Sequence, residues 1–165
     1  MAVVGLIWLA GLGAAAQFGK VSILFDEIAL RYGDSVGPAG LGLIVSVVGF
    51  VGLVLGTTAG LVVTKIGLAR TFIAALWLAG SISLIEALLP SYPVMIALRV
   101  TEGISHLGLV VAGPTLIGAV TPSRWLGAAM TLWSSFFGVS FALLAVVAPP
   151  VVAAFGLEAI FLGHA

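Results

Sequence analysis

The sequence predicts an all-α membrane protein, a polytopic bundle of five transmembrane helices followed by the start of a sixth. Three observations carry that expectation. Apolar runs of about 20 residues, the length that crosses a ~30 Å hydrocarbon core, recur along the chain with short polar breaks between them. Charge is scarce: 7% of residues are charged and 62% are hydrophobic, at a mean hydropathy of +1.33, whereas an ordinary soluble domain is about 25% charged. The few charges fall either in the breaks or at isolated places inside the runs. A water-exposed surface built from six bases and six acids would leave apolar patches that soluble monomers rarely carry.

The spans run approximately 3–25, 40–63, 71–89, 94–119 and 126–153, and a further apolar stretch opens at about residue 156 and stops at Ala165. Ala14-Ala15-Ala16 in the first span has the small residues of a leader-cleavage site. A cleaved leader begins with positive charge, however, and none precedes Lys20, so a retained first helix is expected. The breaks are made of turn-forming residues: Asp34-Ser35-Val36-Gly37-Pro38, then Lys65 to Arg70, then Pro90-Ser91-Tyr92-Pro93, then Thr121-Pro122-Ser123-Arg124. A transmembrane barrel would need strands of about 10 strictly alternating residues instead of continuous runs. From Phe155 onward the eleven remaining residues extend about 16 Å as a helix, so the sixth span is expected to be cut.

Charge placement sets the expected orientation. Lys65, Arg70 and Arg124 stand in the second and fourth breaks with no acid beside them, whereas Asp26, Glu27, Arg31 and Asp34 surround the first. Loops that keep Lys and Arg stay cytoplasmic, which places the even breaks and the N-terminus inside a cell membrane. Trp125, beside Arg124, fits an inner aromatic belt, and Trp133 is expected to pack deeper.

Inside the spans, a charged side chain near a helix centre costs about 2.5–3.5 kcal/mol and normally faces a cavity or a partner. Lys20, Glu86, Arg99 and Glu102 meet that condition. At about 100° per residue, Arg99, Glu102 and His106 form one polar stripe on the fourth span, while Gln17, Lys20, Glu27 and Arg31 form another on the first. A rise of about 1.5 Å per residue puts Lys20 and Glu102 at one depth near the midplane, where they can meet. Two plainer readings compete: Arg99 snorkels outward along lipid, or Arg99 and Glu102 neutralise each other locally. Glu86, four residues before Pro90, is expected at the outer interface.

No enzyme is expected. Ser105 and His106 are adjacent and so point about 100° apart on a helix, and the other histidine, His164, lies at the chain end, which leaves a serine catalytic pair without support. The chain has no cysteine, excluding disulfides and thiolate metal sites, and neither a metal nor a cofactor is expected. Net charge zero lacks the basic face that nucleic acid demands.

Gly60, Lys65, Gly67 and Arg70, placed between the second and third spans on the expected cytoplasmic side, resemble the loop signature of the major facilitator superfamily, a glycine followed by Asp-Arg-x-Gly and further basic residues. Here Thr64 stands at the aspartate position, Lys65 at the arginine, and Ala69 at a basic one, which weakens the charge contact that this loop makes between halves in the family. Arg99 with Gly103 in the fourth span, and Phe136-Phe137-Gly138 in the fifth, are similar to family features as well. Gly113-Pro114 with Gly118 is not carried over to the antiporter glycine-proline motif, which belongs to the fifth span.

The resemblance implies half of a major-facilitator fold: the N-terminal bundle of a secondary transporter working by alternating access, in which first and fourth helices line the central cavity. It makes Gln17, Lys20, Arg99, Glu102 and His106 candidates for the substrate or proton path, and Gly60, Lys65, Gly67 and Arg70 candidates for a gating loop. The implied partners are the lipid bilayer, a small-molecule solute, protons as the coupling ion, and the missing C-terminal half. The alternatives are a small membrane scaffold or subunit without transport activity, and a half-size transporter that dimerises.

Overall fold

The polar breaks expected from sequence end helices, but not always where hydropathy alone would end them. The computed structural model describes residues 1–165 and consists of α1 (Ala2–Ile23), α2 (Phe25–Ile66), α3 (Leu68–Glu86), α4 (Tyr92–Val120), α5 (Ser123–Ser134), α6 (Phe136–Phe155) and α7 (Glu158–His164). Five helical stretches, with α5 and α6 counted together, are long and apolar enough to cross a membrane.

The first span is longer than expected. After a local irregularity at Leu24 (φ −99°, ψ 35°), helix resumes at Phe25 and carries on past Asp34 to Gly37, whose φ of 64° and ψ of −178° break it. Pro38 follows at once; it has no N–H to continue the ladder and is preset to open a new helix. The run from Phe25 to Val36 is therefore an extension of the first span beyond Leu24, and the second span begins at Pro38. Glycine is the residue that adopts such positive φ without penalty, and Gly67 (φ 98°, ψ 136°) plays the same part between α2 and α3.

The helices form a ring around α1. In order, α2 packs on α4, α4 on α3, α3 on α7, α7 on α6, and α6 on α1, which also touches α2 and α4. Close approach depends on small residues, as membrane bundles require. A side chain at Gly103 of α4 would meet the Val48 carbonyl of α2 at 2.8 Å. Added carbons at Gly11 and Gly113 would strike the Trp133 ring at 2.9 and 2.5 Å, so these two glycines make the slot in which Trp133 lies buried against Phe136. Trp133 thus packs inside the bundle, while Trp125 is half exposed.

Candidate functional site

The centre of this apolar bundle holds a cluster of charge. Lys20 of α1, Glu86 of α3, and Arg99 and Glu102 of α4 are all buried, none more than 1% exposed. Lys20 Nζ lies 2.7 Å from Glu86 Oε2 and 2.7 Å from Glu102 Oε1, and donates to Ser83 Oγ at 3.1 Å. It thus donates to Ser83 and Glu86 and is ion-paired with both acids. Ser83 passes its own proton to the Phe161 carbonyl of α7 at 2.8 Å, and the ammonium stands 5.0 Å from the Phe161 ring centroid.

Arg99 pairs through Nη1 with Glu102 one helical turn away; the same Nη1 donates to the Gln17 carbonyl at 2.7 Å and Nε donates to the Ile44 carbonyl at 3.1 Å, while Nη2 has no partner. Two cations and two anions cancel. In hydrocarbon, where an uncompensated charge is costly, that balance is what lets the cluster exist. Glu102 is its hub, being the acid that touches both cations.

Gln17 continues the network towards the bundle edge. Its Nε2 donates to Ser105 Oγ at 3.3 Å, Ser105 donates to the Ala75 carbonyl at 2.7 Å, and His106 Nδ1 lies 3.2 Å from Gln17 Oε1 and 3.0 Å from the Ala14 carbonyl. All five residues expected on the solute or proton path, Gln17, Lys20, Arg99, Glu102 and His106, are therefore members of one connected network. Lys20 and Glu102, matched in depth by the sequence, are in contact. Arg99 does not snorkel to lipid; its local pairing with Glu102 is real but is only one of its bonds.

Two expectations are corrected. Glu86 is not at the outer interface: the last residue of α3 faces the bundle interior, and its carboxylate is fully buried on Lys20. The first-span stripe also divides. Gln17 and Lys20 enter the core, but Arg31 is exposed, its guanidinium donating to the Leu89 carbonyl at 2.9 Å and lying over the Tyr32 ring. Tyr32 donates to the Pro90 carbonyl at 2.8 Å, so this extension staples the first span to the α3–α4 connection and takes no part in the central network. Ser83 and the Phe161 carbonyl were missed because a serine or a peptide oxygen in an apolar run carries no charge signal, and Ser105, weighed only as a nucleophile beside His106, serves as a hydrogen-bond relay from Gln17 to the Ala75 carbonyl. The loop candidates lie apart from the network: Gly60 is exposed on α2, Gly67 makes the turn, and Lys65 and Arg70 are exposed without an ion pair.

Comparison with known proteins agrees with this architecture. The profile of the Major Facilitator Superfamily matches residues 4–165. The niacin transporter NiaP of Acinetobacter baylyi is 27% identical over 161 residues, which are 95% of this chain and 36% of that protein. The chain thus spans about a third of the length of this curated relative. No solved structure matches it. With the profile covering nearly every residue of a helical bundle whose spans and loop signature already resemble it, the chain belongs to the major facilitator superfamily.

Proposed function

We propose that this chain is the N-terminal bundle of a proton-coupled secondary transporter for a small solute, one wall of a molecule that works by alternating access. The observation that carries the proposal is the neutral, fully buried cluster Lys20–Glu86–Glu102–Arg99, held in common by α1, α3 and α4 with Ser83 and Phe161 around it. Protonating Glu102 removes the acid shared by both cations. Lys20 would keep Glu86, and Arg99 would be left with carbonyl partners alone. Lys20 also lines an open cavity between α1, α6 and α7, so the cluster has a route to the bundle surface on that side. Gln17 joins the cluster to His106, which is partly exposed and offers a second point of access. On this reading the chain is no enzyme, sits in the cell membrane with its N-terminus in the cytoplasm, and presents Gly60, Lys65, Gly67 and Arg70 as a cytoplasmic gating loop.

The test uses the natural full-length protein reconstituted in liposomes with an imposed proton gradient. Nicotinate, the solute in the relative's name, is the first cargo to try. Gradient-driven, saturable uptake is expected in the wild type, with Glu102→Gln abolishing the response to the proton gradient while exchange of solute without a gradient persists. Uptake by Glu102→Gln with an unaltered gradient dependence would remove Glu102 from coupling. Absence of any solute flux in the wild type, over a panel of small acids, amines and zwitterions, would favour the scaffold reading.

A further inference from the structure

On the side of the bundle away from α3 and α7, the ring of helices is open: α2 and α6 make no contact with each other, and α1 and α4 lie between them. Three rings from three helices meet in this opening. Phe18 of α1 stands edge-on to His106 of α4, with centroids 4.8 Å apart and an interplanar angle of 77°. Phe137 of α6 lies 6.0 Å from His106 and 6.0 Å from Phe18. Phe141, one turn further along α6, stacks on Phe137 at 5.8 Å. Gly49 of α2 leaves room on the far side, since a carbon added there would lie 3.7 Å from Phe18. Phe137 is 38% exposed and Phe18, His106 and Phe141 are half-buried, so the rings line the opening without filling it.

The hydrogen bonds around His106 fix what it offers. Ser105 spends its hydroxyl proton on the Ala75 carbonyl, so its oxygen can only accept from Gln17 Nε2. That fixes the Gln17 amide with Oε1 facing His106 Nδ1, and the Ala14 carbonyl faces the same nitrogen. Two acceptors on Nδ1 require a proton there. In the neutral imidazole, Nε2 is then a bare acceptor; it makes no hydrogen bond within the chain and is not among the buried unpartnered atoms. The opening thus presents one hydrogen-bond acceptor ringed by aromatic faces and edges. The nearby charge cluster is neutral and internally paired, leaving no free charge on this surface to select an ion.

We infer that Phe18, His106 and Phe137 form a solute subsite for a planar aromatic ring that carries a hydrogen-bond donor, the ring lying against Phe18 and Phe137 and the donor meeting His106 Nε2. An amide, a hydroxyl or an un-ionised carboxylic acid on the ring supplies the same donor. The subsite rests on the proposed transport function, since it gives the transport path its solute class, but its test does not depend on flux.

Three probes separate the components on the purified natural full-length protein in lipid nanodiscs, with no gradient present: benzamide, cyclohexanecarboxamide, which keeps the donor and loses the flat ring, and methyl benzoate, which keeps the ring and loses the donor. Affinities read by competition in saturation-transfer NMR are expected to favour benzamide about threefold to tenfold over the cyclohexyl amide and about fivefold over the ester. Phe137→Leu and Phe18→Leu should collapse the first preference, and His106→Phe the second alone. Equal affinity for all three probes in the wild type, or preferences that survive these substitutions, overturns the inference, and the wild-type ratios decide the matter even if a variant fails to fold. Ring preference without flux in liposomes would count against the transport reading only; flux of solutes without ring preference would count against the subsite only.

Discussion

Two pairs of cations in this chain live under opposite conditions. Lys20 and Arg99 are buried mid-span with every charge matched by Glu86 or Glu102, whereas Lys65 and Arg70 flank the α2–α3 turn, exposed and unpaired. The residue types are the same, and depth decides their roles. In hydrocarbon a base must recruit acids from other helices and so becomes a constraint on packing. In a loop it is hydrated, constrains nothing inside the bundle, and acts on whatever lies outside it: the sign of the leaflet, or a neighbouring domain.

That contrast can be broken most sharply at its hub. Glu102→Leu removes the acid that both buried cations share, leaving Arg99 with no carboxylate. Breaking a buried pair by deleting one partner is destabilising by about 3–5 kcal/mol, so a large fall in the detergent melting temperature, or in the yield of folded protein, is expected. A wild-type melting curve for this variant would show that the cluster does not hold the helices together.

The loop is expected to depend on its backbone and not on its charge. Gly67→Ala places a side chain at φ 98°, a conformation that costs an L residue about 1–3 kcal/mol, and should lower the melting temperature measurably. Replacing Lys65 and Arg70 together by Gln should change stability by no more than about 0.5 kcal/mol. The same double variant should raise the fraction of chains with this loop on the outer face, read by impermeant labelling of a cysteine introduced beside it. Loss of stability comparable to that of Glu102→Leu would mean the loop charges are bound to something within the bundle after all.

The spans and the main members of the network were legible because each rests on a strong, local signal. A run of about 20 apolar residues can do little but cross a bilayer, and Arg99, Glu102 and His106 share a face by helical geometry alone. The matched depth of Lys20 and Glu102 needed only the rise per residue. Glu86 was misplaced because its distance from Pro90 along the chain says nothing of which way the side chain faces, and it faces Lys20 inside the bundle. The extension of the first span was hidden for a related reason: Asp26, Glu27, Arg31 and Asp34 look like the end of a membrane helix to a hydropathy reading, although the helix continues through these charges until Gly37 and Pro38 stop it. The aromatic opening gave no warning, since Phe18 and Phe137 in apolar runs are indistinguishable from lipid-facing or core phenylalanines.

Lys20 precedes Glu86 by 66 residues. At about 5–20 residues per second of synthesis, the amine emerges roughly 3–13 s before the first of its acids exists. During that interval the first helix is an incomplete product: its charge has no counterpart, and the bilayer interior is a poor place to wait. Leaving the first span at the insertion machinery, or at the interface with its amine towards water, until α3 and α4 arrive would avoid that cost. The order of the spans thus makes the burial of the first helix's charge wait on the third and fourth, which carry its acids.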